Sequence, residues 1–335
     1  MKQKLDFFET EKGIKLVKDT FEKFLSKDLD LLRVTAPKFL IEGTGLQDDL
    51  AGTQEPVSFK IKDEKRKIEF VHSLAKWKRF ILGKYKFKQG KGIYTDMDAV
   101  RKDEELSDIH SIYVDQWDWE LVISKKERTL DFLKLIVKKI FDSLKKTEKK
   151  IIKEFPKLSK RLPSKITFIH TEDLEKLYPH LSSIQREHEI TKKYGAVFLI
   201  GIGYKLKSGK IHDLRASDYD DWSSETKKGY FGLNGDILVW DDIRKKSLEL
   251  SSMGIRVDKK SLELQLKLSK EEYKKEFEFH KCILDHKLPL TIGGGIGQSR
   301  ICMFLLHKRH IGEVQSSVWT EKIKKDIKKS NIILL

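Results

Sequence analysis

The chain has 335 residues, 39% of them hydrophobic and 10% aromatic, with only six prolines; that is enough to bury a large core, as one big domain or two fused ones. No apolar stretch approaches the roughly 20 residues that span a bilayer, and the N-terminus lacks the apolar middle of a signal peptide. Cys282 and Cys302 give neither a disulfide framework nor a paired-cysteine metal motif, so a reduced, cytoplasmic protein without a membrane segment is expected.

In chain order, residues 10–27 read as an amphipathic helix (Ile14, Val17, Phe21, Phe24, Leu25) leading to an extended run that ends in "RVTAPKFL". "PVSFKIK" and "KIEFVHS" alternate like paired strands, and "LAKWKRFILGKY" is helical. "KGIYTDMDAV" and "HSIYVDQWDWEL" are two strands joined by the charged loop "RKDEELSD". A lysine-rich helix follows. Residues 125–165 hold 15 basic and 5 acidic residues, so this segment carries +10 of the net charge of +16. Such a charge invites a nucleic-acid reading. However, Leu133, Ile136, Val137, Ile140, Leu144, Ile151 and Phe155 recur at helical spacing with lysines filling the other face, which fits a solvated helix face. "AVFLIGIG", "GDILVW" and "LELSSMGIRV" are strands, two helices occupy roughly 258–285, and a glycine-rich strand leads into a last buried helix. No repeat and no linker divides the chain. One α+β domain over 1–335 is expected, built on an antiparallel sheet flanked by helices, with a lysine-rich helical insertion near 125–165.

The glycine-rich stretch is "TIGGGIGQSRICMFLL" (291–306). It lacks the lysine of a P-loop and has Gln298 where a dinucleotide fingerprint needs glycine. What remains is a glycine-lined strand end opening a helix with Arg300 in its first turn. The glycines suit either a flat ligand against the backbone or close helix–strand packing, and the helix start with Arg300 suits an anion. Strand alternation puts Gln116, Asp118 and Glu120 on one side and Tyr113, Trp117 and Trp119 on the other. Arg101, opening the charged loop, could reach across that hairpin. Asp236 and Glu249 fall on neighbouring strands, a sensible source of two oxygen ligands for Mg²⁺. Perfect alternation would separate Glu249 from Arg256, and Gly254 offers a bulge that could reunite them. Ser73 and Lys78 sit at a strand-to-helix junction, and Asp48 and Asp49 in a glycine-bounded loop. "HDLRASDYDDW" gathers His212, Asp213, Arg215, Asp218, Asp220 and Asp221, usually a solvated turn, with a metal site as the alternative. Each motif alone also fits ordinary surface chemistry.

Their order is more specific than any one of them. "LLRVTAP" after a long helix, an arginine opening a strand–loop–strand hairpin, and "LELSSMGIR" followed by "GGGIGQSRICMFLL" resemble the three signatures of class II aminoacyl-tRNA synthetases. Together with "VHSLAKWKR", "DYDDW" and "GLNGDILVW", the chain resembles ammonia-dependent asparagine synthetase (aspartate–ammonia ligase) across nearly its whole length. The resemblance implies a homodimer that uses ATP and Mg²⁺ to join L-aspartate and ammonia through β-aspartyl-AMP. It implies catalytic roles for Arg101, Arg300, Lys78 and Asp220, and ATP contacts from Arg101, Glu249, Arg300, Arg215 and Gly295. Asp48, Ser73, Lys78, Gln116, Asp118, Arg256 and Ser251 would bind aspartate, and Asp236 and Glu249 the metal.

Two rival readings are weighed, one on chemistry and the closer one on the spacing of the motifs. A glutamine-dependent enzyme needs a cysteine nucleophile at its N-terminus, where Lys2 and Gln3 stand, so free ammonia is the expected donor. A tRNA synthetase would need an anticodon-binding part that the motif spacing leaves no obvious room for. No obligatory nucleic acid is expected.

Overall fold

Val17, Phe21 and Leu25 recur every fourth residue, so one face of helix α1 (Phe7–Leu29) is buried, and Asp6 caps its N-terminus reciprocally with Glu9. The computed structural model describes residues 5–52, 54–330 and 332–335; Lys2 and Gln3 lie outside them. After α1 comes β1 (Leu31–Arg33), then β2 (Phe39–Ile41), β3 (Ser58–Phe59) and β4 (Ile68–Phe70), which form a small sheet in the order β2-β4-β3. Helix α2 (Ala75–Lys84) precedes the hairpin of β5 (Gly92–Val100) and β6 (Tyr113–Val122). The lysine-rich stretch is α3 (Leu130–Glu154). Then follow β7 (Thr167–His170), α4 (Thr171–Leu177), α5 (Ser183–Tyr194), β8 (Ala196–Ile200), the short hairpin β9 (Glu225–Lys227) and β10 (Tyr230–Phe231), β11 (Asn234–Asp241) and β12 (Lys246–Ile255). Helices α6 (Lys259–Leu268) and α7 (Glu278–Leu284) lead to β13 (Thr291–Gly297), α8 (Gln298–Leu305) and α9 (Glu321–Lys329). The buried helix after the glycines is therefore α8, and it is not the last.

The main sheet has eight strands in the order β1-β5-β6-β13-β12-β11-β8-β7. The expected antiparallel pairing holds from β5 to β8, but the edge strands β1 and β7 pair parallel to their neighbours. Each reaches its partner through helical crossovers, which parallel pairing requires.

One face of this sheet is apolar. Trp117 and Trp119 of β6, Met253 and Ile255 of β12, and Ile292 and Ile296 of β13 pack there against α1, α3 and α8. The Phe21 ring lies 4.8 Å from that of Trp117. The buried stripe of α3, from Leu133 to Ile151, belongs to this same cluster, with its lysines outward. The segment read as an insertion thus packs into the main core. The other face, carrying Gln116, Asp118 and Glu120, holds the site.

Candidate active site

Register lines up the polar face. Glu120 lies opposite Gly293, Asp118 opposite Gly295 and Gln116 opposite Gly297. Gly295 in turn pairs with Ser252, and Ser252 with Asp236. At about 3.3 Å per residue, Glu120 and Gln116 are about 13 Å apart along β6. Above this ladder is a cavity of about 460 Å³.

The glycines of β13 have ordinary extended backbone: none of Gly293, Gly294, Gly295 and Gly297 has a positive φ. What they supply is space. A Cβ on Gly293 would overlap the Glu120 carboxylate and come within 2.7 Å of Arg256 Nη2; one on Gly295 would overlap the Gln116 side chain and sit 3.1 Å from Asp118 Oδ1. Side chains of β6 cross over the bare strand, which lets carboxylates and cations converge on one line.

At one end of the cavity, Lys78 and Arg256 are fully buried. Lys78 Nζ donates to Asp118 Oδ1 at 2.8 Å and to the Gly294 carbonyl at 3.0 Å. Burial pulls the ammonium below its usual range, only partly offset by Asp118. Arg256 donates to Glu120 from Nε at 3.0 Å and Nη2 at 2.8 Å, and from Nη1 to Asp220. Burial works against its charge, but Glu120 and Asp220 more than offset it and raise the guanidinium. Asp220 itself is raised by burial in spite of Arg256. Ser73 Oγ donates to Asp48 Oδ2 at 2.7 Å, and Asp48 Oδ1 accepts from the Leu50 amide at 2.9 Å. Tyr219 also lines the cavity, its ring 5.7 Å from the Arg256 guanidinium.

At the other end, the Asp115 carboxylate accepts from the amide and hydroxyl of Ser299, at 3.1 and 2.8 Å, fixing the first turn of α8. Arg300 leaves that turn with Nη1 3.2 Å from the Glu249 carbonyl and 3.5 Å from its carboxylate. Arg101, just past β5, donates through Nη2 to the His72 carbonyl at 3.3 Å, while its Nε is buried without a hydrogen-bond partner. Arg215 joins Asp213 at 2.6 Å and also Asp236. Asp236 sits behind Arg215, not among the lining side chains. Burial and the nearby Glu249 charge, against the pull of Arg215, push its carboxyl up to about 7, and its Oδ1 is buried without a hydrogen-bond partner.

Glu249 and Arg256 do share the cavity, but the register shift that unites them is at Leu250, between Glu249 and Ser251, not at Gly254. Core-facing residues therefore run Leu248 and Leu250 before it and Met253 and Ile255 after it. The same shift turns Ser251 away: its hydroxyl donates to the Gly295 carbonyl at 2.9 Å, and Ser252 lines the cavity instead. The His212 ring is engaged elsewhere: its Nε2 meets Glu187 at 2.9 Å. No group of three His, Cys, Asp or Glu among the described residues could hold a metal alone. Of the remaining candidates, Asp49 and Asp218 do not line the cavity, whereas Asp48, Ser73, Lys78, Arg101, Gln116, Asp118, Arg215, Asp220, Glu249, Arg256, Gly295 and Arg300 do. Missed were Glu120 as partner of Arg256, readable from its alternation with Asp118, and Tyr219, Ser252 and His110, for which the sequence held no distinct signal.

The family model of aspartate-ammonia ligase matches residues 8–331. The chain is 54% identical to the aspartate–ammonia ligase of Parabacteroides distasonis, over 99% of this chain and 96% of that one. It is 55% identical to that of Fusobacterium nucleatum, over 99% and 98%. Among solved structures, asparaginyl-tRNA synthetase from Pyrococcus horikoshii, complexed with asparaginyl-adenylate, superposes with a TM-score of 0.67 at 14% identity, covering 91% of this chain and 67% of that one. Aspartyl-tRNA synthetase from Entamoeba histolytica gives 0.61 at 14%, covering 91% and 57%. The fold is that of a class II aminoacyl-tRNA synthetase catalytic core, and the chain, a ligase, belongs to the aspartate–ammonia ligase family.

Proposed function

We propose that the cavity binds ATP and L-aspartate side by side, forms β-aspartyl-AMP, and lets ammonia convert it to L-asparagine. The observation that carries this is the division of one cavity. Arg101, bonded to Ile112, and Arg300, just past Gly297, stand toward the Ile112–Gln116 end of β6, while Lys78 on Asp118 and Arg256 on Glu120 stand framed by carboxylates toward the other. A triphosphate suits the first end and a dicarboxylic amino acid the second, with the reacting carboxylate meeting the α-phosphate between them.

In the first step an oxygen of the β-carboxylate bonds to the α-phosphorus, and the bond to the bridging oxygen breaks as pyrophosphate takes the electron pair. Negative charge accumulates on phosphate oxygens, where Arg101 and Arg300 stabilise it; catalysis is positioning plus electrostatics. Lys78 and Arg256 hold the substrate carboxylates, Gln116 and Asp118 orient the backbone of the amino acid, and Asp48, with Ser73, faces its ammonium. In the second step ammonia bonds to the carbonyl carbon, AMP leaves, and a proton passes from nitrogen to a base. A Mg²⁺ ion would be held by Glu249 and Asp236 and would neutralise phosphate charge there. Glu249 lines the cavity and its charge acts on Asp236 behind Arg215, so the two carboxylates fit a cation that takes its remaining ligands from phosphate and water.

Purified protein with aspartate, ATP, Mg²⁺ and ammonia, and no RNA, is expected to yield free asparagine, AMP and pyrophosphate. Absence of asparagine together with charging of tRNA would reject the reading. Glutamine is expected to replace ammonia poorly.

The carboxyl of Asp236 sets a pH dependence. Below about 7 it carries a proton that the metal–nucleotide complex must displace, so nucleotide affinity is expected to weaken as pH falls from 8 to 6. By the same shift, the folded protein without nucleotide binds more protons here than the unfolded chain between the ordinary carboxylate value and about 7, so this group's contribution to stability falls as pH rises through that window. Asp236→Asn should flatten the affinity profile; isothermal titration with Mg·ATP at several pH values checks it, and an unchanged slope would remove Asp236 from the metal.

The homodimer belongs to this reading as well. Exposed Leu32 and Tyr85, near edge strand β1, are apolar surface that a second copy would cover. Sedimentation showing only monomer would reject it.

A further inference from the structure

Beneath the aspartate end of the cavity lies a second cluster of charges that lines no part of it. Asp218 is its centre. Lys76 Nζ donates to Asp218 Oδ2 at 2.7 Å, His280 Nε2 lies 2.9 Å from the same oxygen, and Lys274 Nζ is 4.0 Å away. Lys274, in the 3-10 turn Glu272–Glu276, also pairs with Asp49 and, at 2.8 Å, with Glu271. Glu271 accepts from Ser217 Oγ at 2.5 Å. Lys76, Asp218, Lys274 and His280 are all almost fully buried. Burial opposes the charge on Asp218, yet Lys76 and His280 hold its carboxyl well below the usual range.

Three of the chain segments tied here also carry cavity side chains. Asp49 follows Asp48. Asp218 precedes Tyr219 and Asp220. Lys76 lies on α2 between Ser73 and Lys78. The loop holding Asp48 needs such an anchor, because Leu50 and Ala51 both adopt left-handed backbone, unfavourable for residues with a side chain. Buried ion pairs seldom stabilise a fold more than apolar packing of the same volume, so stability is a poor account of this investment of charge.

We propose that Lys274 and Asp218 are positioning residues for the amino-acid substrate: acting through Asp49 on one side and the Tyr219–Asp220 segment on the other, they fix the gap between Asp48 and Asp220 into which aspartate fits. The inference rests on the aspartate-binding assignment above, which the activity of the unmodified protein tests separately.

The experiment is steady-state kinetics of the full chain with Lys274→Met, Lys274→Arg and Asp49→Asn, each checked for folding by circular dichroism. Lys274→Met is expected to raise KM for aspartate about tenfold or more, as loss of substrate alignment does, with KM for ATP changed less than about twofold. Lys274→Arg should recover most of the loss. Asp49→Asn, at the more exposed end of the cluster, should act in the same direction and decides the matter if Lys274→Met does not fold. Folded variants whose aspartate KM is unchanged, or whose KM for ATP rises in parallel, would overturn the proposal. Absence of asparagine synthesis by the unmodified protein would instead overturn the functional reading beneath it.

Discussion

Arg300→Ala, at saturating substrates, is expected to slow pyrophosphate release by about 10²–10³-fold, the usual cost of removing one preorganised donor from developing charge. The side chain leaves the first turn of α8, whose start is clamped by Asp115, so the guanidinium is held in place before substrate arrives. Its contacts to Glu249, at 3.2 and 3.5 Å, are loose enough to be exchanged for phosphate oxygens. Arg101→Ala should cost at least as much, since among the described residues its Nε is buried with no hydrogen-bond partner and its side chain donates to the His72 carbonyl at 3.3 Å. Neither residue is in the apolar core, so thermal unfolding should shift little. Stopped-flow measurement of pyrophosphate release checks both, and near-normal rates in the two variants would remove these arginines from the phosphate end.

A single methyl group should do comparable harm at the other end. Gly293→Ala places a Cβ into the Glu120 carboxylate, which is fully buried and bonded to Arg256 through two nitrogens. The carboxylate must move, and Arg256 with it. We expect kcat/KM for aspartate to fall by about 10- to 100-fold, the scale of an ångström-sized misplacement. Gly294→Ala is the contrast. Its Cβ would point to the opposite side, 2.5 Å from Met253 Cβ and 2.6 Å from the Ser252 carbonyl, so it should act first on stability, by about 1–3 kcal/mol as overpacking does. Equal effects of the two substitutions on aspartate kinetics would contradict the assignment of faces.

These glycines show where the sequence was legible and where it was not. Their number pointed to close approach, but whether to a ligand or to packing depended on what lay opposite, and only sheet register gives that. Alternation along β6 was readable because strands have a period of two residues, and it placed Gln116, Asp118 and Glu120 correctly against Trp117 and Trp119, though Tyr113, expected beside the tryptophans, lines the cavity. The same rule failed along β12, where one extra residue at Leu250 swaps the faces and exchanges Ser251 for Ser252. A bulge is invisible to periodicity unless its position is known. The apolar stripe of α3 was readable from its spacing, but its place in the main core, like the parallel edge strands, depends on partners distant in the chain. Lys274 was out of reach for the same reason: 225 residues separate it from Asp49.

The chemical step itself is open to one direct measurement. Aspartate labelled with ¹⁸O in its β-carboxylate, incubated with ATP, Mg²⁺ and ammonia, should transfer one labelled oxygen per turnover into the phosphate of AMP, detected by mass spectrometry. Label recovered in pyrophosphate or inorganic phosphate, or AMP formed without label, would contradict attack of that carboxylate on the α-phosphorus.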